Sequence, residues 1–83
     1  MSENIKLYSL STCSHCKSTK KFLSSCNVTY DFTDVDLLTG DERSEAVKAV
    51  KKYNPRCSFP TIVIGNKVVI GFDENKLKEA LGL

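Results

Sequence analysis

"IKLYSLSTCSHCKSTKKF", residues 5–22, holds the decisive change of pattern in this chain. Its first six residues, Ile5 to Leu10, are rich in apolar and aromatic side chains, contain neither Gly nor Pro, and run straight into the polar pair Ser11-Thr12. That is the composition of a strand entering a loop. From Ser14 the spacing changes to threes and fours: Cys16, Thr19, Phe22, Leu23 and Cys26 share one helical face, and Lys17, Lys20, Lys21 and Ser24 take the other. A strand therefore feeds a helix through a short loop, and Cys13 and Cys16, with two residues between them, sit at that junction.

The remaining segments extend the alternation. "VTYDFTDV", residues 28–35, alternates Val28, Tyr30 and Phe32 with Thr29, Asp31 and Thr33, as a strand with one wet face would. In "TGDERSEAVKAVKKY", residues 39–53, Thr39 and Glu42 have the offset of a capping box, and Ala46, Val47, Val50 and Tyr53 form an apolar stripe that Asn54-Pro55 ends. After Pro60, "TIVI" and "KVVI" are β-branched runs joined by Gly65-Asn66, the link of a tight hairpin. Asp73 then caps a last short helix with Leu77, Ala80 and Leu81 inward. The order is β-α-β-α-β-β-α, an α/β fold with a four-stranded mixed sheet flanked by three helices. Right-handed crossovers predict that the first three strands run parallel and that the hairpin adds one antiparallel edge strand. In such sheets chemistry gathers beyond the carboxyl ends of the parallel strands, where the Cys13 loop lies.

Length and composition narrow the function. With 83 residues the chain is expected to form one domain, residues 1–83, with a modest core. Its 12 Lys and Arg against 10 Asp and Glu leave a net charge of +2, too weak to mark nucleic acid or an anionic membrane as the partner. No apolar run approaches the roughly 20 residues of a membrane span, and "MSENIK" lacks the charged and apolar blocks of a signal peptide. A cytoplasmic location is the expectation, and it argues against reading the four cysteines as a structural disulfide framework.

Cys13 and Cys16 then have three possible roles: redox couple, half of a metal site, or packed thiols. At a helix mouth, unpaired N–H groups and the helix dipole favour a Cys13 thiolate. Cys-x-x-Cys sites lower a thiol pKa from about 8.5 into the range of roughly 3.5 to 7.5. Cys16, one turn further, could attack a mixed disulfide on Cys13 and release the partner. A four-cysteine zinc site would need Cys26 and Cys57, yet ten helical residues at about 1.5 Å each put Cys26 roughly 15 Å from Cys16. Ligands each bonded at about 2.3 Å cannot span that. Redox chemistry is the leading reading, with no metal expected. His15, the only histidine, is either a cationic aid to the Cys13 thiolate or a solvent-facing spacer. Lys17, Lys20 and Lys21 are either a solvated helix face or an aid to an anionic substrate, Lys17 being the one assigned to substrate binding. Cys26 reads as packing, and Cys57 as either an accessory thiol or a buried small residue.

Together these residues resemble the glutaredoxin family of the thioredoxin superfamily over nearly the whole chain. Beside Cys13-Ser14-His15-Cys16, "SFPTIVIG" (residues 58–65) is similar to the family's "TVPxxFIG", and "IGFDE" (residues 70–74) to its "GGxDD". The resemblance implies a thioredoxin-like fold and a cis proline at Pro60 beside the redox pair. It also implies that Phe59 offers its backbone to substrate or glutathione, and that Gly71, Phe72 and Asp73 border the glutathione γ-glutamyl group. Asp73 has the alternative of being only a helix cap. Three features depart from the family pattern: Ser14 and His15 replace the Pro and Tyr of "CPYC", Ser9-Leu10-Ser11-Thr12 lacks the usual lysine, and Cys57 occupies a commonly basic position with Arg56 displaced by one.

The implied protein is a cytoplasmic, monomeric thiol-disulfide oxidoreductase. Cys13 attacks, Cys16 resolves and His15 tunes, while Lys17, Arg56, Phe59, Pro60 and Gly71 to Asp73 hold the substrate. It needs no bound cofactor. Disulfide-containing proteins or glutathione mixed disulfides are the substrates, and glutathione is the electron donor. One alternative is a thioredoxin-like donor, for example to ribonucleotide reductase, recharged by a flavin thioredoxin reductase because the glutathione contacts are incomplete. Another is an iron-sulfur cluster carrier in which two chains share the cluster.

Overall fold

The computed structural model describes residues 4–83; residues 1–3 of the expected domain lie outside the described residues. The elements are β1 (Ile5–Ser9), α1 (Ser14–Ser25), β2 (Asp31–Asp34), a 3-10 turn (Val35–Leu37), α2 (Gly40–Tyr53), β3 (Thr61–Ile64), β4 (Lys67–Ile70) and α3 (Glu74–Leu81). They build one mixed sheet in the order β2-β1-β3-β4. The fold class is the expected one, a thioredoxin-like arrangement of four strands and three helices.

Alternation along β1 decides what each face meets. Ile5, Leu7 and Ser9 are buried, and Lys6 and Tyr8 are half-buried on the opposite side. Leu7 stands beside Phe32 of β2 and Ile62 of β3, and Ile62 beside Val69 of β4, so one apolar face runs across the sheet. Phe22 and Leu23 from α1 and Leu77 and Ala80 from α3 pack onto that face. Complete burial of such side chains contributes about 1.5–3 kcal/mol each. On the other face, Ala46 and Ala49 of α2 stand across an open groove from Lys6, Tyr8 and Thr33.

Three expectations are corrected. The first concerns strand direction: β1 and β2 are parallel, but β3 is antiparallel to β1, with Thr61 opposite Tyr8 and Ile64 opposite Ile5. The crossover rule presumes that the chain returns to the starting edge before re-entering the sheet. Here the segment after α2 instead delivers the chain to the carboxyl end of β1, and β3 runs back down. Pro60, immediately before β3, therefore lies at the same end of the sheet as the Cys13 loop; a parallel β3 would have placed it at the opposite end.

The second strand is also shorter than its alternating pattern. It spans only Asp31–Asp34, while Val28 and Tyr30 pack against the core from the preceding loop and Val35 is buried in the 3-10 turn. Phe32 keeps 51% of its surface exposed because it lies on an edge strand; the Lys20 ammonium of α1 stands 4.2 Å from its ring. Finally, Thr39 is the N-cap of α2, but its side chain makes no capping hydrogen bond, so the capping box does not form. Asp41 and Glu42 in the first turn and Lys51 and Lys52 in the last complement the helix dipole instead.

Candidate active site

Cys13 precedes α1 in extended backbone, with φ −81° and ψ 121°. Its N–H donates to the Leu10 carbonyl at 3.2 Å, closing the turn out of β1. Its sulfur accepts the N–H of Cys16 at 3.4 Å, so a thiol stands where a serine or aspartate would normally cap the helix. Cys16, one turn on, is fully buried, and its sulfur accepts the Leu10 N–H at 3.5 Å.

The two thiols are pushed apart electrically. Burial raises the Cys16 thiol to about 12, helped by hydrogen bonding with and the charge of Cys13, against the opposing pull of the Leu10 N–H and of Lys20. At Cys13 burial is again the largest single influence and resists ionisation. Hydrogen bonding from the Cys16 thiol and from the N–H groups of Cys16 and His15 outweighs it, so Cys13 lies below the usual thiol range. What reaches Cys13 from His15 is thus a backbone N–H; the imidazole is on an exposed residue.

Distant sequence reaches the same end of the sheet. The Phe59–Pro60 peptide is cis, and Pro60 is buried. Its carbonyl accepts the N–H of Gly71 at 2.8 Å, tying the loop before β3 to the loop before α3. Gly71 has φ +83°, a conformation that glycine alone adopts freely. Phe72 sets its ring edge-on to Phe22, 6.2 Å between centroids. Asp73 caps α3 by accepting the Lys76 N–H at 3.1 Å. Phe59 is half-buried, and Lys17 and Arg56 are exposed. Cys57 is half-buried with φ +52°, its N–H donating to the Asn54 carbonyl at 2.8 Å.

Residues that the sequence reading passed over hold this arrangement. Lys20 does not belong with the solvated lysines: it forms an ion pair with Asp34 at 3.0 Å, with side chains 26% and 14% exposed. The buried Ser9 hydroxyl donates to the same Asp34 carboxylate. Hydrogen bonding from Ser9, followed by Lys20, holds that carboxyl below the usual range against the cost of burial. Ser11, in the loop before Cys13, donates its N–H and its hydroxyl to the two oxygens of Asp36. Asn54 is 2% exposed and donates through Nδ2 to the Ser58 carbonyl at 3.1 Å, the Ser58 hydroxyl at 2.9 Å and the Thr61 hydroxyl at 3.1 Å. Its Oδ1 accepts the Arg56 N–H at 3.2 Å. A signal for the first cluster was available: Lys20 is four residues after Cys16, and Asp34 ends the strand that pairs with β1.

A helix-capping thiol, a buried thiol behind it and a cis-proline loop at the same end of this sheet define a thiol redox protein of the thioredoxin superfamily. The glutaredoxin family profile matches residues 5–69, and the chain belongs to the glutaredoxin family. The crystal structure of methanoredoxin from Methanosarcina acetivorans superposes with a TM-score of 0.94 at 44% identity, over 98% of this chain and 86% of that one. A glutaredoxin from Archaeoglobus fulgidus superposes with a TM-score of 0.90 at 38% identity, over 94% and 85% of the two chains. In sequence, a glutaredoxin-like 8.6 kDa protein in the rubredoxin operon of Clostridium pasteurianum is 31% identical over 77 residues, covering 93% of this chain and 96% of that protein. Among the described residues, no helix is long and apolar enough to cross a membrane.

Proposed function

We propose that this chain is a dithiol oxidoreductase of the cytoplasm that reduces protein disulfides or glutathione mixed disulfides as a monomer, with electrons supplied by glutathione. The observation that carries this reading is the inequality of the two thiols within one helical turn: Cys13 is held below the usual thiol range at the helix mouth, and Cys16 is fully buried and pushed up to about 12.

Cys13, as thiolate, attacks one sulfur of a substrate disulfide. A Cys13–sulfur bond forms, the substrate bond breaks, and the other substrate sulfur leaves as a thiolate that takes a proton. Cys16 then loses its proton and attacks the Cys13 sulfur, closing the Cys13–Cys16 disulfide and releasing the second substrate thiol. Two electrons have passed to the substrate, and two molecules of glutathione return them. The backbone of Phe59 serves the extended substrate beside the mixed disulfide. The Gly71 to Asp73 turn, with Lys17 and Arg56, serves the carboxylates of glutathione.

A second reading, recharging by a flavin thioredoxin reductase, draws support from the displacement of Arg56 by one position, with Cys57 in the commonly basic place, and from the absence of a lysine in Ser9 to Thr12. Turnover of a glutathionylated peptide decides between them, with glutathione and its reductase compared against thioredoxin reductase. Cys13→Ser is expected to abolish turnover with either donor. Cys16→Ser is expected to trap protein substrates as mixed disulfides while retaining activity on the glutathionylated peptide, because free glutathione replaces Cys16 there. Equal and complete loss in both variants on every substrate would reject the assignment.

A further inference from the structure

The resolving step poses a problem that the Cys13 geometry does not answer. Cys16 has no exposed surface and must give up its proton while Cys13 is occupied by substrate. The cation that acts on it is Lys20. Lys20 is the residue one turn further along the same face of α1, and its ammonium is pinned, 3.0 Å from Asp34, between that carboxylate and the Phe32 ring at 4.2 Å. Asp34 is in turn fixed by the buried hydroxyl of Ser9, and Ser9 precedes Leu10, whose N–H touches the Cys16 sulfur. A continuous set of contacts thus joins the buried sulfur to a charged pair.

We propose that Lys20 is a positioning residue for the resolving step, its positive charge divided between Asp34 and Cys16 so that Asp34 sets how much of it supports the Cys16 thiolate. This rests on the dithiol reading above. The groups acting on Cys16 are Cys13 from the loop, the Leu10 N–H from the end of β1 and Lys20 from its own helix. Those acting on Asp34 are Ser9 from β1, Lys20 from α1 and Asp36 from the 3-10 turn. The chemistry is unchanged: Cys16 attacks the Cys13 sulfur of the mixed disulfide, the substrate thiolate leaves, and the proton released from Cys16 ends on that leaving thiol. Lys20 exchanges no atom; it lowers the cost of the charge that passes through Cys16.

The proposal makes neighbouring substitutions act in opposite directions, which a purely structural role does not. Removing the cation by Lys20→Met leaves Asp34 as an uncompensated negative charge near the forming thiolate. Removing the anion by Asp34→Asn releases Lys20 toward Cys16, and asparagine still accepts from Ser9. The assay mixes the reduced full chain rapidly with the aromatic disulfide dithiobis(nitrobenzoate). Attack by Cys13 releases one thionitrobenzoate in a phase that scales with reagent. Attack by Cys16 releases the second in a phase independent of reagent concentration, which separates it from reaction at Cys26 or Cys57.

The ratio of second-phase to first-phase rate at neutral pH is expected to fall roughly threefold to tenfold in Lys20→Met and to rise by a similar factor in Asp34→Asn, the size of one nearby charge at intermediate dielectric. The second-phase pH profile should move up in the former and down in the latter. Lys20→Arg should restore the parent profile, and the double variant Lys20→Met/Asp34→Asn should fall between the single ones. Helical circular dichroism identifies any variant that fails to fold, in which case Lys20→Gln replaces it. Shifts in the same direction for the two single variants, or no shift in either, would overturn the proposal while leaving the dithiol reading intact. A parent protein with no second phase would overturn both.

Discussion

Asn54 offers the sharpest test of how the cis-proline side of the site is held. Its buried amide serves three acceptors around Ser58 and Thr61 and takes the Arg56 N–H on its oxygen. Asn54→Ala removes the whole set. Ser58 is exposed and regains water, and the Thr61 hydroxyl keeps its own bond to the Ser58 carbonyl, so the cost is that of a few net hydrogen bonds with no fully orphaned group. At about 0.5–1.5 kcal/mol for each bond, the loss comes to roughly 2–3 kcal/mol. For a domain of this size that corresponds to a fall in Tm of roughly 10–20 °C. Thermal and urea unfolding of the variant measure it, with Asn75→Ala on an exposed turn of α3 as a control expected within about 0.5 kcal/mol of the parent. The same variant should alkylate at Cys13 at nearly the parent rate, because the groups Asn54 holds lie in the loop before β3 and not at the thiol; on the proposed role of Phe59 and Pro60 in holding substrate, it should also reduce disulfide substrates more slowly. A loss below about 1 kcal/mol, equal to the control, would refute the view that Asn54 organises this loop.

Other outcomes follow from the same geometry. Alkylation of Cys13 by iodoacetamide should rise with pH and reach half its plateau below the usual thiol value of about 8.5, while Cys16, buried and pushed up to about 12, stays unmodified until the fold opens; a Cys13 half-point at or above 8.5 would contradict the capping arrangement. Replacing Gly71 by Ala forces a side chain into φ +83° with open space around it, so strain alone acts and denaturant titration should show a loss of about 1 kcal/mol. Removing the α3 cap by Asp73→Ala should cost about 1 kcal/mol and Asp73→Asn much less, since asparagine can still accept the Lys76 N–H.

The sequence carried the parts of this molecule that depend on local pattern. The inward set Cys16, Thr19, Phe22 and Leu23, the hairpin around Gly65-Asn66 and the Asp73 cap all arise within one turn or one strand, where periodicity and capping chemistry act. Strand direction was not legible, because it depends on where Asn54 to Pro60 delivers the chain, and that path is set by the buried Asn54 amide rather than by any composition. Lys20 and Asp34 were missed for a similar reason. On a helical wheel Lys20 falls between Cys16 and Lys17, at the border of the apolar and polar faces, and only the position of β2 beside β1 brings a carboxylate to it. Val28 and Tyr30 show the converse error: alternation marked them correctly as inward, but hydrogen-bonded pairing begins only at Asp31.

The place of β1 in the sheet has one more consequence. It is flanked by β2 on one side and β3 on the other, so its backbone amides are shielded by two neighbours while β2 and β4 form the rims. Opening that exposes β1 requires separating the sheet itself, which places its amides among the slowest to exchange with deuterium, whereas rim amides exchange by local fraying. The reactive loop is therefore mounted on one of the two interior strands of the sheet. Amide exchange along β1 should be nearly the same in the dithiol and disulfide forms, with any difference confined to the first turn of α1.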